Sequence, residues 1–344
     1  MKTTTGKILE NFKDNVFNNN NLTSALQIEN EHDFMPFFEY AEELCEANFA
    51  KNVYIRGIIE FSNNCRRNCS YCGIRRANLR EERYRMSLPE ILDTAGRMRS
   101  EGIMTAVLQG GEDIQSDNEL ITAIAAIKAK YDMAVTVSIG ERSASTYARF
   151  RDAGADRFLL RIETTDKELF RNLHPDDDFD ERMNCLHTLK SLGFETGTGI
   201  MTGLPGQTME SIANDLLFFR EFKPEMVGLG PFLPHKYTPL SHEKGGGIFL
   251  ALKAMALTRI LLPGANIPAT TAMGTADPKG REKALKYGAN VIMPNYTPLK
   301  YREHYMLYDN KICTGEMCAR ACSDRIAKEA GKKIVESKGY SKIR

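Results

Sequence analysis

The chain has 344 residues, 42% hydrophobic and 26% charged, enough for one large barrel or two modest domains and unlike a disordered or fibrous protein. Its 46 Lys and Arg nearly cancel its 45 Asp and Glu, so nothing points to a nucleic-acid partner or an anionic membrane, and a small substrate is expected. No window approaches the roughly 18 apolar residues of a membrane span, and MKTTTGKILENFKDN lacks the apolar core of a signal peptide, so a cytoplasmic protein is expected.

Residues 1–50 read as a polar, helical extension, in which Phe34, Phe37, Phe38, Ala41 and Leu44 recur at the spacing of one helix face lying against something larger. From Val53 a rhythm sets in of short apolar run, loop and amphipathic stretch. The predicted strands are residues 53–61, 105–108, 134–138, 157–161, 195–201, 226–230, 266–268 and 290–293. Predicted helices begin near Pro89, Asn118, Ser143, Asp180, Thr208, Phe249 and Lys279, the first with a capping-box start in Ser87-Leu-Pro-Glu90. Eight such units over about 250 residues predict an α/β fold, a complete (β/α)8 TIM-type barrel. It would occupy residues 51–310, between the extension and a helical, cysteine-containing C-terminal segment at 311–344.

The eight cysteines of a reducing compartment suggest metal rather than disulfides, and six fall into two triplets. Cys45 and Cys185 stand alone and read as buried small hydrophobes. Cys65, Cys69 and Cys72 stand as Cys-x3-Cys-x2-Cys in FSNNCRRNCSYCGIRR, one thiolate short of the four that hold an electron-transfer iron–sulfur cluster. A cluster on three ligands keeps one iron open to a small molecule. Zinc is the alternative, but it usually takes two CxxC-like pairs or Cys/His pairs, and no histidine lies within a loop's reach. The second triplet, Cys313, Cys318 and Cys322, has its last two members one helical turn apart and could hold an auxiliary cluster or be three free cysteines.

A barrel places chemistry at the C-terminal ends of its strands. The polar residues there are Glu60, Gln109-Gly110-Gly111-Glu112, Ser138, Glu141, Arg161, Glu163, Thr270, Thr271 and Asn295, with Met201 and Met293 among them. Gly110 and Gly111 would let backbone approach a ligand while Glu112 accepts from an ammonium, although a Gly-Gly-Glu triplet alone also suits a plain turn. Glu163 and Arg182 offer a carboxylate for hydroxyls or an ammonium and a fork for a carboxylate, a surface salt bridge being the alternative. Gly197, Gly199 and Gly203 mark a loosened strand and a tight turn, without the spacing of a dinucleotide fingerprint.

With Tyr71 before its last cysteine, the triplet resembles that of radical S-adenosylmethionine (SAM) enzymes. From about Tyr54 to Cys313 the chain is similar to the HydE family of FeFe-hydrogenase maturases. CRRNCSYCGIRR, RYRMS, TVSIGE, AGADRFLLRIET, GLPGQT, MVGLGPFLPH, LTRILLPGANIPATTAMGT and GANVIMPN carry the likeness. The resemblance implies a 4Fe–4S cluster on Cys65, Cys69 and Cys72, whose open iron holds the amine and carboxylate of SAM. It implies SAM contacts from Gly110, Gly111, Glu112, Ser138, Glu163 and Arg182, with Tyr71, Gln109 and Met201 beside them. A cavity lined by Arg161, Met226, Thr270, Thr271, Met293, Tyr305 and Tyr308 would take a cysteine-bound iron carbonyl cyanide complex, attacked by a 5'-deoxyadenosyl radical. A reductant such as ferredoxin or flavodoxin and maturation partner proteins are implied with it. Two departures stand out: Ile162 where the family pattern has a histidine, and a shorter first gap in the C-terminal triplet. They leave room for a paralogue, or for an enzyme like biotin synthase or methylornithine synthase on a small organic substrate. A non-catalytic iron–sulfur carrier is the rival from another class.

Overall fold

The computed structural model describes residues 4–311 and 319–343. Three helices come first, α1 (Thr4–Lys13), α2 (Asn19–Leu26) and α3 (Glu31–Phe49). The predicted apolar face lies on α3, where Phe34, Phe37, Phe38 and Ala41 are fully buried.

β1 (Asn52–Ile55) and β2 (Gly57–Ser62) are the first predicted strand, broken at Arg56. There follow α4 (Leu88–Ser100), β3 (Thr105–Gly110), α5 (Asp117–Tyr131), β4 (Ala134–Ser138), α6 (Ala144–Asp152), β5 (Arg157–Leu159), α7 (Lys167–Leu173) and α8 (Phe179–Ser191). Next come β6 (Glu195–Thr202), α9 (Met209–Phe222), β7 (Met226–Pro231), α10 (Ile248–Leu261), β8 (Pro268–Ala269), α11 (Thr271–Ala276) and α12 (Gly280–Lys286). β9 (Val291–Ile292), α13 (Leu299–Arg302), α14 (Ala319–Glu329) and β10 (Lys333–Val335) complete the order. Each predicted strand and helix start has its counterpart, and the Ser87/Glu90 capping box is formed. The sequence reading lacks α7, α11, α13 and β10.

Every strand pairing is parallel, in a six-stranded sheet ordered β2-β3-β4-β5-β6-β7 and a four-stranded sheet ordered β10-β1-β9-β8. The expected complete barrel is thus seen as two parallel sheets that no continuous ladder closes. Single bridges mark the seams, Met226 to Asn266 and Ile58 to Asn295. Pro268 and Pro294 lie at these seams, and a proline has no N–H to extend a ladder.

Close approach explains one glycine. Gly199 of β6 pairs with Gly228 of β7, where a Cβ would stand 2.0 Å from the Gly228 carbonyl oxygen.

α10 is buried on nearly all sides, because α3 and α2 cover the face turned away from the sheet. Lys253 of α10 donates to the carbonyls of Leu26 and Ile28 at the end of α2, fixing that outer layer. Among the described residues, no helix is long and apolar enough to cross a membrane.

The N-terminal strand ends are plugged by the C-terminal tail. The Lys338 carbonyl accepts from Thr105 Oγ1 (3.0 Å) and Arg157 Nη2 (2.7 Å), and that of Gly339 from Arg56 Nη2 (2.9 Å) and Asn266 Nδ2 (3.0 Å).

Candidate active site

β2 ends at Ser62, and the loop after it carries Cys65, Cys69 and Cys72, all free and partly buried, at the C-terminal rim. Glu112 N donates to Cys65 Sγ at 3.3 Å, tying the loop to the turn after β3. Gly111 permits this contact, since a Cβ there would stand 2.2 Å from the Asn64 carbonyl oxygen. Burial and the neighbouring sulfurs Cys72 and Cys65 push the Cys69 thiol well above its ordinary range, and burial with Cys65 pushes Cys72 up to about 12. A cationic metal centre offsets both the burial cost and the repulsion among three thiolates, so the donor set fits a three-thiolate cluster.

Cys69 also lies within 4.8 Å of His174 and Asp177, a grouping that could suggest a single metal ion. Their other bonds argue against it. Asp177 is ion-paired with Arg67 (2.6 Å) and Arg182 (2.8 Å), and His174 Nε2 lies 3.0 Å from Tyr71 Oη.

Behind the loop runs a buried ion network. Arg67 reaches Glu112 (2.7 Å), Glu141 (2.7 Å) and Asp177, while Arg182 reaches Glu141, Asp177 and the Arg161 carbonyl (2.7 Å). The Asp178 side chain caps α8 through the amides of Asp180 and Glu181, which sets Arg182 in the first turn, facing the network. The sequence reading did not assign Arg67, His174 or Asp177. Arg67 sits inside the cysteine motif and was legible there. The carboxylates it finds are 45 to 110 residues away, and only the fold brings them together.

This network changes the part played by two expected SAM contacts. Glu112 is engaged by Arg66, by Arg67 and by the amide of Glu141 (3.1 Å), so its carboxylate is bonded to protein donors. Arg182 has its guanidinium filled by protein acceptors, and its partners are Glu141 and Asp177 rather than Glu163. Glu163 pairs instead with Arg161 at 2.9 Å.

Glu163 is 5% exposed, and its φ of 64° lies in the left-handed region that non-glycine residues avoid. Burial raises its pKa, opposed by Arg161 and Arg182. From α9, Asp215 fastens the next turn, accepting from the amide of Thr165 (2.5 Å) and its hydroxyl (2.6 Å).

The other expected residues divide by location. Ser138 ends β4 in register with Gln109, whose Nε2 lies 3.5 Å from Tyr305 Oη. Met201 and Tyr71 pack on a small apolar cluster of Leu169, Leu173, Leu204 and Phe232. Thr270 precedes α11 without capping it, its hydroxyl donating instead to the Leu229 carbonyl (3.1 Å), Thr271 begins that helix, and Met293 follows β9. Tyr305 is buried, with Lys311 Nζ 4.9 Å from its ring centre, and Tyr308 is partly buried on the same segment. Lys311 is itself ion-paired with buried Glu60.

Met226 lies elsewhere. It begins β7 at the N-terminal rim, where its sulfur accepts from Arg56 at 2.9 Å, and so it belongs to the floor beside the plug. Ile162 is fully buried in the main apolar core. Cys313 and Cys318 lie outside the described residues, and Cys322 is on α14. Cys45 is buried as expected, whereas Cys185 is only partly so.

Known proteins bear on this geometry. The radical SAM superfamily signature matches residues 59–219. The chain is 50% identical to the [FeFe] hydrogenase maturase subunit HydE of Thermotoga maritima, over 90% of this chain and 89% of that one. It is 28% identical to the 3-methylornithine synthase of Methanosarcina barkeri, over 89% of this chain and 86% of that one. Among solved structures, methylornithine synthase superposes with a TM-score of 0.83 at 25% identity, covering 95% of this chain and 97% of that one. The maturase HydG superposes with a TM-score of 0.82 at 19% identity, covering 98% and 77%, a likeness of fold. The chain belongs to the radical SAM superfamily and, within it, to the family of the [FeFe] hydrogenase maturase subunit HydE.

Proposed function

We propose that Cys65, Cys69 and Cys72 hold the family's 4Fe–4S cluster, that SAM binds between that loop and Glu163, and that the enzyme works in building the active site of [FeFe] hydrogenase. The observation that carries this is the convergence of three free, partly buried thiols on one loop at the C-terminal rim, beside a buried carboxylate held in strained backbone. When bound, the cluster and SAM together supply a 5'-deoxyadenosyl radical. The chain supplies everything around that step. Gly110 and Gly111 open a backbone approach beside Ser138, and Glu163 presents its charge to an ammonium or ribose hydroxyls. Arg182 acts at one remove, by fixing Arg161 and Asp177.

The two sheets act as one complete barrel, a reading supported by the bridges at both seams. Residues 1–50 form an outer layer, 51–310 the catalytic body, and 311–344 the tail that plugs its floor and carries the candidate auxiliary cluster site on Cys313, Cys318 and Cys322. The interior between Arg161, Thr270, Thr271, Met293, Tyr305 and Tyr308 receives the guest. Its one cation, hydroxyls and thioether suit a small, anionic, polarisable molecule such as a cysteine-bound iron carbonyl cyanide complex. Met226, with Arg56, closes this space from below. The enzyme is cytoplasmic in this reading.

The test is an anaerobic assay of reconstituted, dithionite-reduced protein with SAM, following 5'-deoxyadenosine by chromatography with and without that complex. An adenosylated product seen only with the complex supports the maturase reading. Free 5'-deoxyadenosine that the complex does not change favours a small organic substrate instead. The TM-score of 0.83 with methylornithine synthase is what supports that second reading. No SAM cleavage under any condition overturns both.

A further inference from the structure

The loop that follows Cys72 carries an exposed feature the site chemistry does not use. Among the described residues Leu79 is 92% exposed, against 55% for Ile114, the next most exposed large apolar side chain. A single exposed leucine is ordinary on a protein surface. Here the loop is braced: Arg83 donates to the carbonyls of Asn63 (2.6 Å), Ile74 (2.8 Å), Arg75 (2.7 Å) and Asn78 (3.1 Å), and Asn78 Nδ2 donates to that of Gly73 (2.7 Å). A loop held at both ends and in its middle presents Leu79 in a fixed place.

The surroundings of Leu79 are cationic. Arg76 and Arg80 flank it, and Arg80 and Lys236 lie 4.6 and 4.9 Å from the ring centre of Tyr237, itself 37% exposed. Arg76 is linked to Asp176 at 3.2 Å, whereas among the described residues no carboxylate ion-pairs with Arg80 or Lys236. Of the seven arginines between Cys65 and Arg85, Arg66, Arg67 and Arg85 are ion-paired with buried carboxylates and Arg83 is spent on loop carbonyls, so the charge this face offers is that of Arg80 and Lys236, with Arg76 beside them. The collar is also joined directly to the cysteine loop, because Asn68 Oδ1 accepts from Arg75 Nε (2.9 Å) and from the amide of Ala77 (3.1 Å).

We propose that this collar, Arg76, Leu79, Arg80, Lys236 and Tyr237, is the docking surface for a small acidic electron-carrier protein. The inference rests on the reading of Cys65, Cys69 and Cys72 as cluster ligands. A cluster that must be reduced by one electron needs a donor close by, and transfer weakens steeply with distance. A carrier seated on Leu79 stands outside the cysteine loop, leaving the interior to SAM and guest. One electron leaves the carrier and one enters the cluster, with no proton and no bond exchanged. An acidic rim around an apolar spot complements the collar, the charges steering the encounter and Leu79 with Tyr237 providing the desolvated centre.

The experiment uses cluster-loaded protein with Leu79→Asp, and separately with Arg80→Glu and Lys236→Glu combined. Affinity for an acidic ferredoxin and an acidic flavodoxin is read by biolayer interferometry. 5'-Deoxyadenosine formation is then driven either by dithionite or by each reduced carrier. The expected result is about a ten-fold loss of affinity and of carrier-driven rate in both variants, with dithionite-driven rates unchanged and wild-type affinity falling as salt is raised. Variants that bind and accept electrons like wild type overturn the proposal, and so does wild-type protein that neither carrier binds. Failure of wild-type SAM cleavage with dithionite overturns the cluster reading instead. The binding arm reports on the collar in either case.

Discussion

Glu163 is held in place against its own backbone preference. A left-handed φ costs a non-glycine residue about 1–3 kcal/mol, and burial of the carboxylate adds to that, with Arg161 only partly offsetting it. Replacing it with glycine removes the strain and the buried charge together. Glu163→Gly is therefore expected to abolish SAM cleavage while leaving the melting temperature equal to wild type or higher, as measured by scanning calorimetry. A melting temperature several degrees lower means the carboxylate is a structural brace. Cys69→Ala should remove the charge-transfer absorbance of the loaded cluster together with all SAM cleavage, and cleavage retained without Cys69 defeats the ligand assignment. Asp215, behind the same turn, gives a pH dependence. Burial raises its pKa from 3.8 to about 7, so the folded state holds the proton more tightly than the unfolded chain. Its stabilising contribution is full below pH 3.8 and is lost as pH rises toward 7, by up to about 1.4 kcal/mol per pH unit. In Asp215→Asn the group no longer titrates, so the stability of wild type relative to the variant should decline between pH 5 and about 7 in urea titrations. A difference that stays constant shows Asp215 ionised throughout.

At the level of elements, the strand-and-helix alternation was legible because each long element has its own signal. β4 is β-branched and ends in a serine, and α4 begins with a reciprocal cap. The short elements had no such signal. β10 is three residues long and is a strand only because β1 lies beside it, Asn52 to Lys333 in register. The tail after it has even less local preference. Its value comes from two arginines distant in sequence, Arg56 and Arg157, which are buried and find the carbonyls of Gly339 and Lys338. Ending the chain after Glu336 leaves both guanidiniums without these acceptors. Such a truncation should cost about 3 kcal/mol or more, read as a lower urea midpoint. An unchanged midpoint means water replaces the tail at the floor.

On the scale of the molecule, both ends of the strand assembly are closed by chain from near its C-terminus, and this sets the order in which the site can fill. The tail seals the N-terminal rim. Over the opposite rim pass residues 303–311, where the His304 carbonyl accepts from Asn63 Nδ2 (2.7 Å), that of Leu307 from the amide of Gly73 (2.9 Å), and Asp309 Oδ2 from the amide of Lys236 (2.9 Å). Gly73 has no room for a side chain there, since a Cβ would stand 2.0 Å from the Met306 carbonyl oxygen. The cysteine loop and this strap are therefore one hydrogen-bonded layer, with Lys311 pinned to Glu60 at its far end. None of this could be read from sequence, because the strap has no periodicity and its partners lie some 70 to 250 residues away. A floor that is sealed leaves the strap side as the route for cofactor and guest. Loading the cluster and SAM should slow amide hydrogen exchange in residues 303–311 together with residues 65–80, while exchange in the floor residues 338–342 stays as it was. If the floor responds and the strap does not, entry is from the N-terminal rim, and Met226 with Arg56 becomes a gate instead of a base.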